Sequence, residues 1–295
     1  MEGKVGEWPM DKAFKLKKAG AEFYVPDGAA EKLALSRTTH MGVSAHQDDI
    51  EMLALEGILN CFGKKDAWFF GVVATDGAGS PRSGLYGAYT NEEMIEVRKK
   101  EQKKAAYVGE YSGVALLNYS SSEVKQKACP DLTEELAFLI GSAAPDILYT
   151  HNPADKHDTH VAVLARTIEA IRSLPQEKRP RKVYGCEVWR NLDWLSDGEK
   201  LHLIADSHPN IGSAVLEVHD SQITGGKRYD LAAAGRRLSN ATFSESHGVD
   251  EAGAVSYAMD LTPLIEAGNG DMTDYVLQKI EDFKKDVEKR IGRYF

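Results

Sequence analysis

Residues 40–51, His-Met-Gly-Val-Ser-Ala-His-Gln-Asp-Asp-Ile-Glu, constrain this chain more than any other stretch. The apolar run Met41–Ala45 ends abruptly in His46, Gln47, Asp48 and Asp49. Helical spacing begins at once, in Ile50, Leu53, Ala54, Gly57, Ile58 and Cys61. A buried strand that delivers an imidazole and two carboxylates at its carboxyl end puts them where open α/β sheets bind ligands. Charges buried there are costly unless something compensates them, and a divalent cation is the simplest compensation. His46 and Asp49 can turn towards one point through the tight strand-to-helix turn. Imidazole nitrogen with carboxylate oxygen suits zinc or, less selectively, iron, manganese or cobalt. The plainer alternative is that Asp48 or Asp49 only caps the following helix.

The remaining pattern alternates in the same way. Ala67–Ala74 is a continuous apolar run, as in a strand covered on both faces, and closes on Thr75-Asp76-Gly77. Ala78–Thr90 reads as a long Gly- and Ser-rich loop, either a lid near the site or plain surface. Asn91 opens a helix to about Tyr107, whose lysines read as a solvated face. Val114–Leu117 is a third strand, Asp131–Ala144 a helix and Pro145–Thr150 a fourth strand. The expected fold is therefore α/β, a Rossmann-like, mostly parallel sheet flanked by helices. Residues 1–37 read as an N-terminal extension crowded by Lys12, Lys15, Lys17 and Lys18. Residues 38–200 read as the core, and residues 201–295 as a carboxyl-terminal part of the same domain, a substrate rim or oligomer contact. Met272–Arg293 reads as a solvated closing helix.

The fourth strand runs into a second polar cluster, His151-Asn-Pro-Ala-Asp155-Lys-His157-Asp158-Thr159-His160, and then into a helix. His157 and His160 are three apart and can share a face. Two ligands from the first cluster and one histidine from the second would make a three-ligand site with an open position, the catalytic arrangement of zinc. Lys182–Trp189 is a fifth strand. The Trp189-Arg-Asn-Leu-Asp-Trp194 stretch after it could pack on a sugar ring, or Trp189 could simply be core. Gly225-Gly226-Lys227 resembles a phosphate loop superficially but fails the Walker pattern, since Ser221 stands where its first glycine belongs. Arg228, Arg236, Arg237 and His247 are candidates for a substrate rim or subunit contact.

Several classes are set aside. The net charge of −9 does not suit a protein built to grip nucleic acid or an anionic membrane. No apolar run approaches a membrane span, and the first forty residues lack the apolar core of a signal peptide. Cys61, Cys129 and Cys186 are odd in number and at no ligand spacing, as expected of reduced thiols in a cytoplasmic protein. Neither Gly-x-Gly-x-x-Gly after a strand nor Gly-x-Ser-x-Gly occurs, so dinucleotide binding and serine hydrolysis lack support.

Taken together, the two clusters resemble the PIG-L/LmbE family of zinc-dependent N-deacetylases over roughly residues 38–190. Ala45-His46-Gln47-Asp48-Asp49 is similar to the family's Ala-His-Pro-Asp-Asp-Glu, with Gln for Pro and Ile50 for Glu. Thr75-Asp76-Gly77, Arg98-x-x-Glu101 and the His151–His160 stretch match its other motifs. The resemblance implies Zn2+ (or Fe2+) on His46, Asp49 and His160, with Asp48 as general base to a metal-activated water. It implies that His157 stabilises the oxyanion or protonates the leaving amine, and that Arg98 holds the sugar; Trp189 and Asp155 join Arg98 as expected substrate contacts. The family's Asp before the last ligand is Thr159 here, so Asp158 or another carboxylate must take the orienting role. The expected function is removal of an N-acetyl or similar N-acyl group from an N-acetylglucosamine-type conjugate, by a homo-oligomeric enzyme. The alternatives are an ester or phosphoester hydrolase on the same site, or a non-catalytic metal- or sugar-binding homologue.

Overall fold

The computed structural model describes residues 15–266 and 270–295. One eight-stranded sheet runs through the molecule in the order β1-β4-β3-β2-β5-β6-β8-β7. Its strands are β1 (Glu22–Tyr24), β2 (His40–Ser44), β3 (Phe69–Thr75), β4 (Gly113–Tyr119), β5 (Ile147–His151), β6 (Lys182–Cys186), β7 (Leu201–Ile204) and β8 (Val255–Asp260). The five central strands are parallel, while β1, β8 and β7 pair antiparallel at the two edges. The fold is thus the expected mostly parallel α/β sheet.

Eleven helices are found among the described residues: α1 (Glu31–Ser36), α2 (Asp49–Leu53), α3 (Leu55–Cys61), α4 (Asn91–Val108), α5 (Ser121–Val124), α6 (Pro130–Ala143), α7 (Asp158–Ser173), α8 (Pro209–Glu217), α9 (Asp220–Ile223), α10 (Tyr229–Phe243) and α11 (Met272–Ile291). Every residue of β3 is buried. Phe70, Val72 and Ala74 pack into the core beneath α6 and α7, and Phe69 and Val73 into the one beneath α2 and α3. This two-sided burial is why β3 reads as unbroken apolar sequence rather than as alternation.

Chain order reverses between β2 and β5. From β2 the sheet grows through β3 and β4 on one side, and from β5 through β6 on the other. The two strands that end in polar clusters are therefore neighbours at the topological switch point, where such sheets leave a crevice.

Three sequence expectations change. The helix expected without a break after Asp49 interrupts at Ala54. Within the stretch expected as an extension, Glu22–Tyr24 form β1 and hydrogen-bond to β4, so that part belongs to the sheet; residues 1–14, Lys12 among them, lie outside the described residues. Helix α11 is solvated as expected, but it also exposes Leu277, Ile280, Phe283, Val287 and Ile291. Cys61, Cys129 and Cys186 are buried free thiols.

Candidate metal centre and substrate cavity

The turn from β2 into α2 builds the first half of the site. Asp48 occupies the left-handed region, with φ 79°. This is uncommon for a non-glycine residue, and Asp is among the few that tolerate it. The Asp48 N–H donates to Gln102 Oε1 at 3.2 Å. Asp48 Oδ2 accepts from Arg98 Nη2 at 2.9 Å, and the Arg98 guanidinium also donates to the Gln47 carbonyl. The strained turn separates the two adjacent carboxylates into different environments, Asp48 against Arg98 and Asp49 among histidines.

Asp49 Oδ2 lies 3.1 Å from His46 Nδ1 and 3.2 Å from His160 Nε2, and those two nitrogens are 3.3 Å apart. Donors about 2.0–2.2 Å from a tetrahedral centre stand about 3.3–3.6 Å from one another. The triangle is just under that size, so these three side chains fit a small divalent cation, with a fourth position open. Their protonation agrees. Burial works against a charge on either group, yet Asp49 and Asp155 carry His160 up to about 9, and His160 and His46 hold the Asp49 carboxyl well below its ordinary value. Two imidazole nitrogens crowded on one buried carboxylate oxygen mark a place that accommodates positive charge.

His157 and His151 also adjoin the triangle, and each completes an alternative donor group, His46/His157/His160 or Asp49/His151/His160. His151 is already occupied: its Nε2 accepts the Ala45 N–H at 2.8 Å, and its ring stacks on His160 at 3.8 Å. Burial pushes His151 well below its ordinary value, so it is neutral. His157 stands edge-on to His46 and stacks on His160. Burial, reinforced by the charges on His160 and His46, pushes it down to about 4. Its Nδ1 is buried with no hydrogen-bond partner among the described residues.

Two expected substrate contacts have other work. Asp155, with a fully buried side chain, accepts from His160 Nδ1 at 3.3 Å, from the Trp189 N–H at 3.2 Å and from the His157 N–H at 3.1 Å. It fixes the His160 tautomer so that Nε2 faces Asp49, as partners of metal-binding histidines do. The orienting carboxylate sought near Thr159 is therefore Asp155, and the histidine it orients is His160; Asp158 is exposed and Thr159 buried. Arg98 borders the cavity but has a side chain only 2 % exposed, wedged between Asp48 and Glu101. It donates to the Asp48 carboxylate, and we read it as a positioning residue for Asp48 at the border of the cavity. Arg237 is likewise mostly buried and donates to the Glu51 and Met52 carbonyls.

A cavity of about 550 Å³ opens over the triangle. His46, Asp48, Asp49 and His157 form its floor, and Trp189, Tyr229 and the Gly77–Pro81 loop its sides. Gly77 has φ +76°, a conformation that favours glycine, and a Cβ there would press on Gln47 Oε1 at 2.4 Å and Arg98 Cγ at 3.2 Å. Burial raises the Asp48 carboxyl above its ordinary value, with Arg98 opposing. No hydrogen bond reaches Asp48 Oδ1 from the described residues, whereas Oδ2 is held by Arg98. One oxygen is thus fixed and the other free to take a proton.

Sequence reading missed the support behind Asp48. Gln102 holds the Asp48 N–H and donates to Glu51 Oε1 at 2.7 Å; Glu51 also accepts from the Tyr111 hydroxyl at 2.8 Å and lies 3.2 Å from His219. One signal was available: Gln102 follows Arg98 by four residues and so shares its helix face. His219 carried none.

Comparison with known proteins places the fold beside solved structures. Residues 41–171 match the family model described as PIG-L, GlcNAc-PI de-N-acetylase. Among solved structures, N,N'-diacetylchitobiose deacetylase from Pyrococcus horikoshii superposes with a TM-score of 0.58 at 14% identity, covering 83% of this chain and 91% of that one. The 4-carboxy-2-hydroxymuconate hydratase from Pseudomonas putida gives 0.58 at 17%, covering 79% and 99%. The A40926 pseudoaglycone deacetylase gives 0.55 at 14%, covering 76% and 97%. At these identities the likeness is one of fold. No curated protein matches the chain.

Proposed function

We propose that this chain, which carries a PIG-L family domain over residues 41–171, is a metal-dependent hydrolase that removes an N-acetyl or related N-acyl group from an N-acetylglucosamine-type conjugate. The observation that carries the reading is the triangle of His46, Asp49 and His160 beside a buried carboxylate with one free oxygen. Zinc is the first choice of ion and ferrous iron the second, because the donors are two imidazoles and one carboxylate.

A cation held by these three residues would acidify a water and polarise an amide carbonyl. Asp48 would take the proton as the water oxygen bonds to the carbonyl carbon. Asp48 lines the cavity with Oδ1 free of hydrogen bonds among the described residues, and burial makes the carboxyl more basic than an exposed one. Arg98 keeps that oxygen aimed by holding Oδ2. His157 borders the same space and is neutral at rest, so its ring can first orient the substrate; on receiving the proton that Asp48 took from the water it would pass it to the amine nitrogen as the C–N bond breaks and return to the neutral form. Amide and water thus become carboxylate and ammonium.

The test is acetate release from N-acetylglucosamine conjugates by the zinc-loaded protein, with chelated protein as control. The expected result is release that chelation abolishes and zinc restores. Full metal occupancy with no release from any conjugate would sink the reading. The hydratase among the structural relatives would then supply the next assay, loss of conjugated-acid absorbance.

Asp155 provides a separate check. Asp155→Ala should weaken zinc binding about 10- to 100-fold, measured by competition with a chromophoric chelator. A rise in KM with zinc affinity unchanged would return Asp155 to substrate contact.

A further inference from the structure

We infer that α11 is a dimerisation helix, whose exposed apolar face pairs antiparallel with α11 of a second copy of this chain. The inference is independent of the proposed reaction.

Helix α11 starts inside the domain and ends outside it. Met272 and Tyr275 pack on the core beneath α6 and α7, and Val276 is buried. The Tyr275 hydroxyl donates to the Asp260 carbonyl at 2.6 Å, and Lys279 pairs with Glu199. Beyond this anchor the helix has little to lean on. No residue from Phe283 to Phe295 is buried. From Lys284 onward, every side-chain hydrogen bond and ion pair among the described residues stays within the helix. A helical stretch of about thirteen residues is marginal in water by itself, and helices in proteins owe most of their stability to packing an apolar face.

This stretch has such a face. Leu277, Ile280, Phe283, Val287, Ile291 and Tyr294 are all exposed, and each follows the last by three or four residues. At about 100° per residue they share an arc of about 120°, the width of a face that packs on a partner. Their exposed parts together equal about three whole side chains, roughly 550 Å² at the ~150–250 Å² of a large apolar residue. Two copies would cover about 1,100 Å², above the ~1,000 Å² that a specific interface needs, before the flanking side chains are counted.

Charge names the occupant. Residues 271–282 carry four carboxylates and one lysine, whereas residues 283–295 carry five cations and two carboxylates. A parallel pair would set like halves side by side. An antiparallel pair sets the acidic half of each helix against the basic half of the other, and such self-complementarity is what a twofold interface requires. A register centred between Lys285 and Asp286 also sets Phe283 against the partner's Val287, Ile280 against the partner's Ile291 and Leu277 against the partner's Tyr294. All six apolar side chains are then covered. The two halves cancel, so the helix has no net charge to draw it to an anionic membrane.

The test is sedimentation velocity of the full chain at up to about 100 μM, where even a weak interface of this size associates. The wild type should be a dimer. Phe283→Glu should weaken dimerisation about thirtyfold or more, the scale of an interfacial hot spot, with the circular dichroism spectrum unchanged. Orientation is read by cross-linking Ile280→Cys and Ile291→Cys with a short bismaleimide, the native thiols being buried. A mixture of the two variants should give a cross-linked dimer, and neither variant alone should. A monomeric wild type, a dimer that Phe283→Glu leaves intact, or cross-linking of Ile291→Cys by itself would overturn the inference. So would a monomer that co-sediments with anionic vesicles.

Discussion

Replacing Asp48 with Asn should lower turnover by about two to four orders of magnitude while zinc remains bound, the range typical for losing a general base. Asn is the informative choice because it tolerates φ 79°, whereas Ala would add backbone strain to the loss of the carboxylate. It also preserves an acceptor for Arg98 at the position of Oδ2. The fall should appear in kcat, with KM little changed, because the free oxygen acts on the reacting water rather than on resting substrate. Zinc content by elemental analysis decides the assignment. Stoichiometric loss of metal in Asp48→Asn would make Asp48 a ligand, and the His46, Asp49 and His160 triangle would no longer be the complete protein donor set.

The second large effect is on stability. Arg98→Met should destabilise the fold by about 3–5 kcal/mol, as when one partner of a buried ion pair is removed. Arg98 Nη2 is 2.9 Å from Asp48 and Nη1 is 3.5 Å from Glu101, all three side chains being less than a tenth exposed. Without the guanidinium, both carboxylates remain buried with less compensation. The sign of the pH dependence follows. Burial already holds the Asp48 carboxyl above its ordinary value, and Arg98 is the group that pulls it down, so its removal raises it further. A carboxyl that is higher in the folded than in the unfolded state costs stability as pH rises through that window. The deficit of Arg98→Met relative to wild type should therefore be larger at pH 7 than at pH 5, read by urea denaturation. A variant with unchanged stability but a raised KM would restore Arg98 as a direct sugar contact.

Both expectations turn on residues whose presence at the site was legible but whose partners were not. His46, Asp48 and Asp49 stand out because a buried strand has no use for them, and a strand end followed at once by helical spacing says where in the sheet they lie. The second cluster stands out in the same way. What adjacency in sequence cannot convey is direction. Asp155 sits within the second cluster and looked like a substrate contact, but the fold turns its side chain inward to His160 and the Trp189 N–H. The resemblance implied that Arg98 holds the sugar, whereas its side chain pairs with Glu101, one turn along α4, and with Asp48 at β2's end, fifty residues earlier.

The sequence by itself therefore determined the strand-helix alternation, the two polar strand ends and the chemical type of the donors, because periodicity and strand-end composition are local. Only the tertiary structure decided that β2 and β5 lie side by side at the switch point, which draws His46, Asp49 and His160 to within hydrogen-bonding distance. It alone also decided that the Ser221–Tyr229 segment folds back on α4 and the Ser83 loop, bringing Lys227 to a cavity built mostly by the first half of the chain. Apart from His46 with Asp49, those contacts join residues more than a hundred positions apart. Packing and hydrogen bonding select them over the whole fold, and no local spacing rule records them.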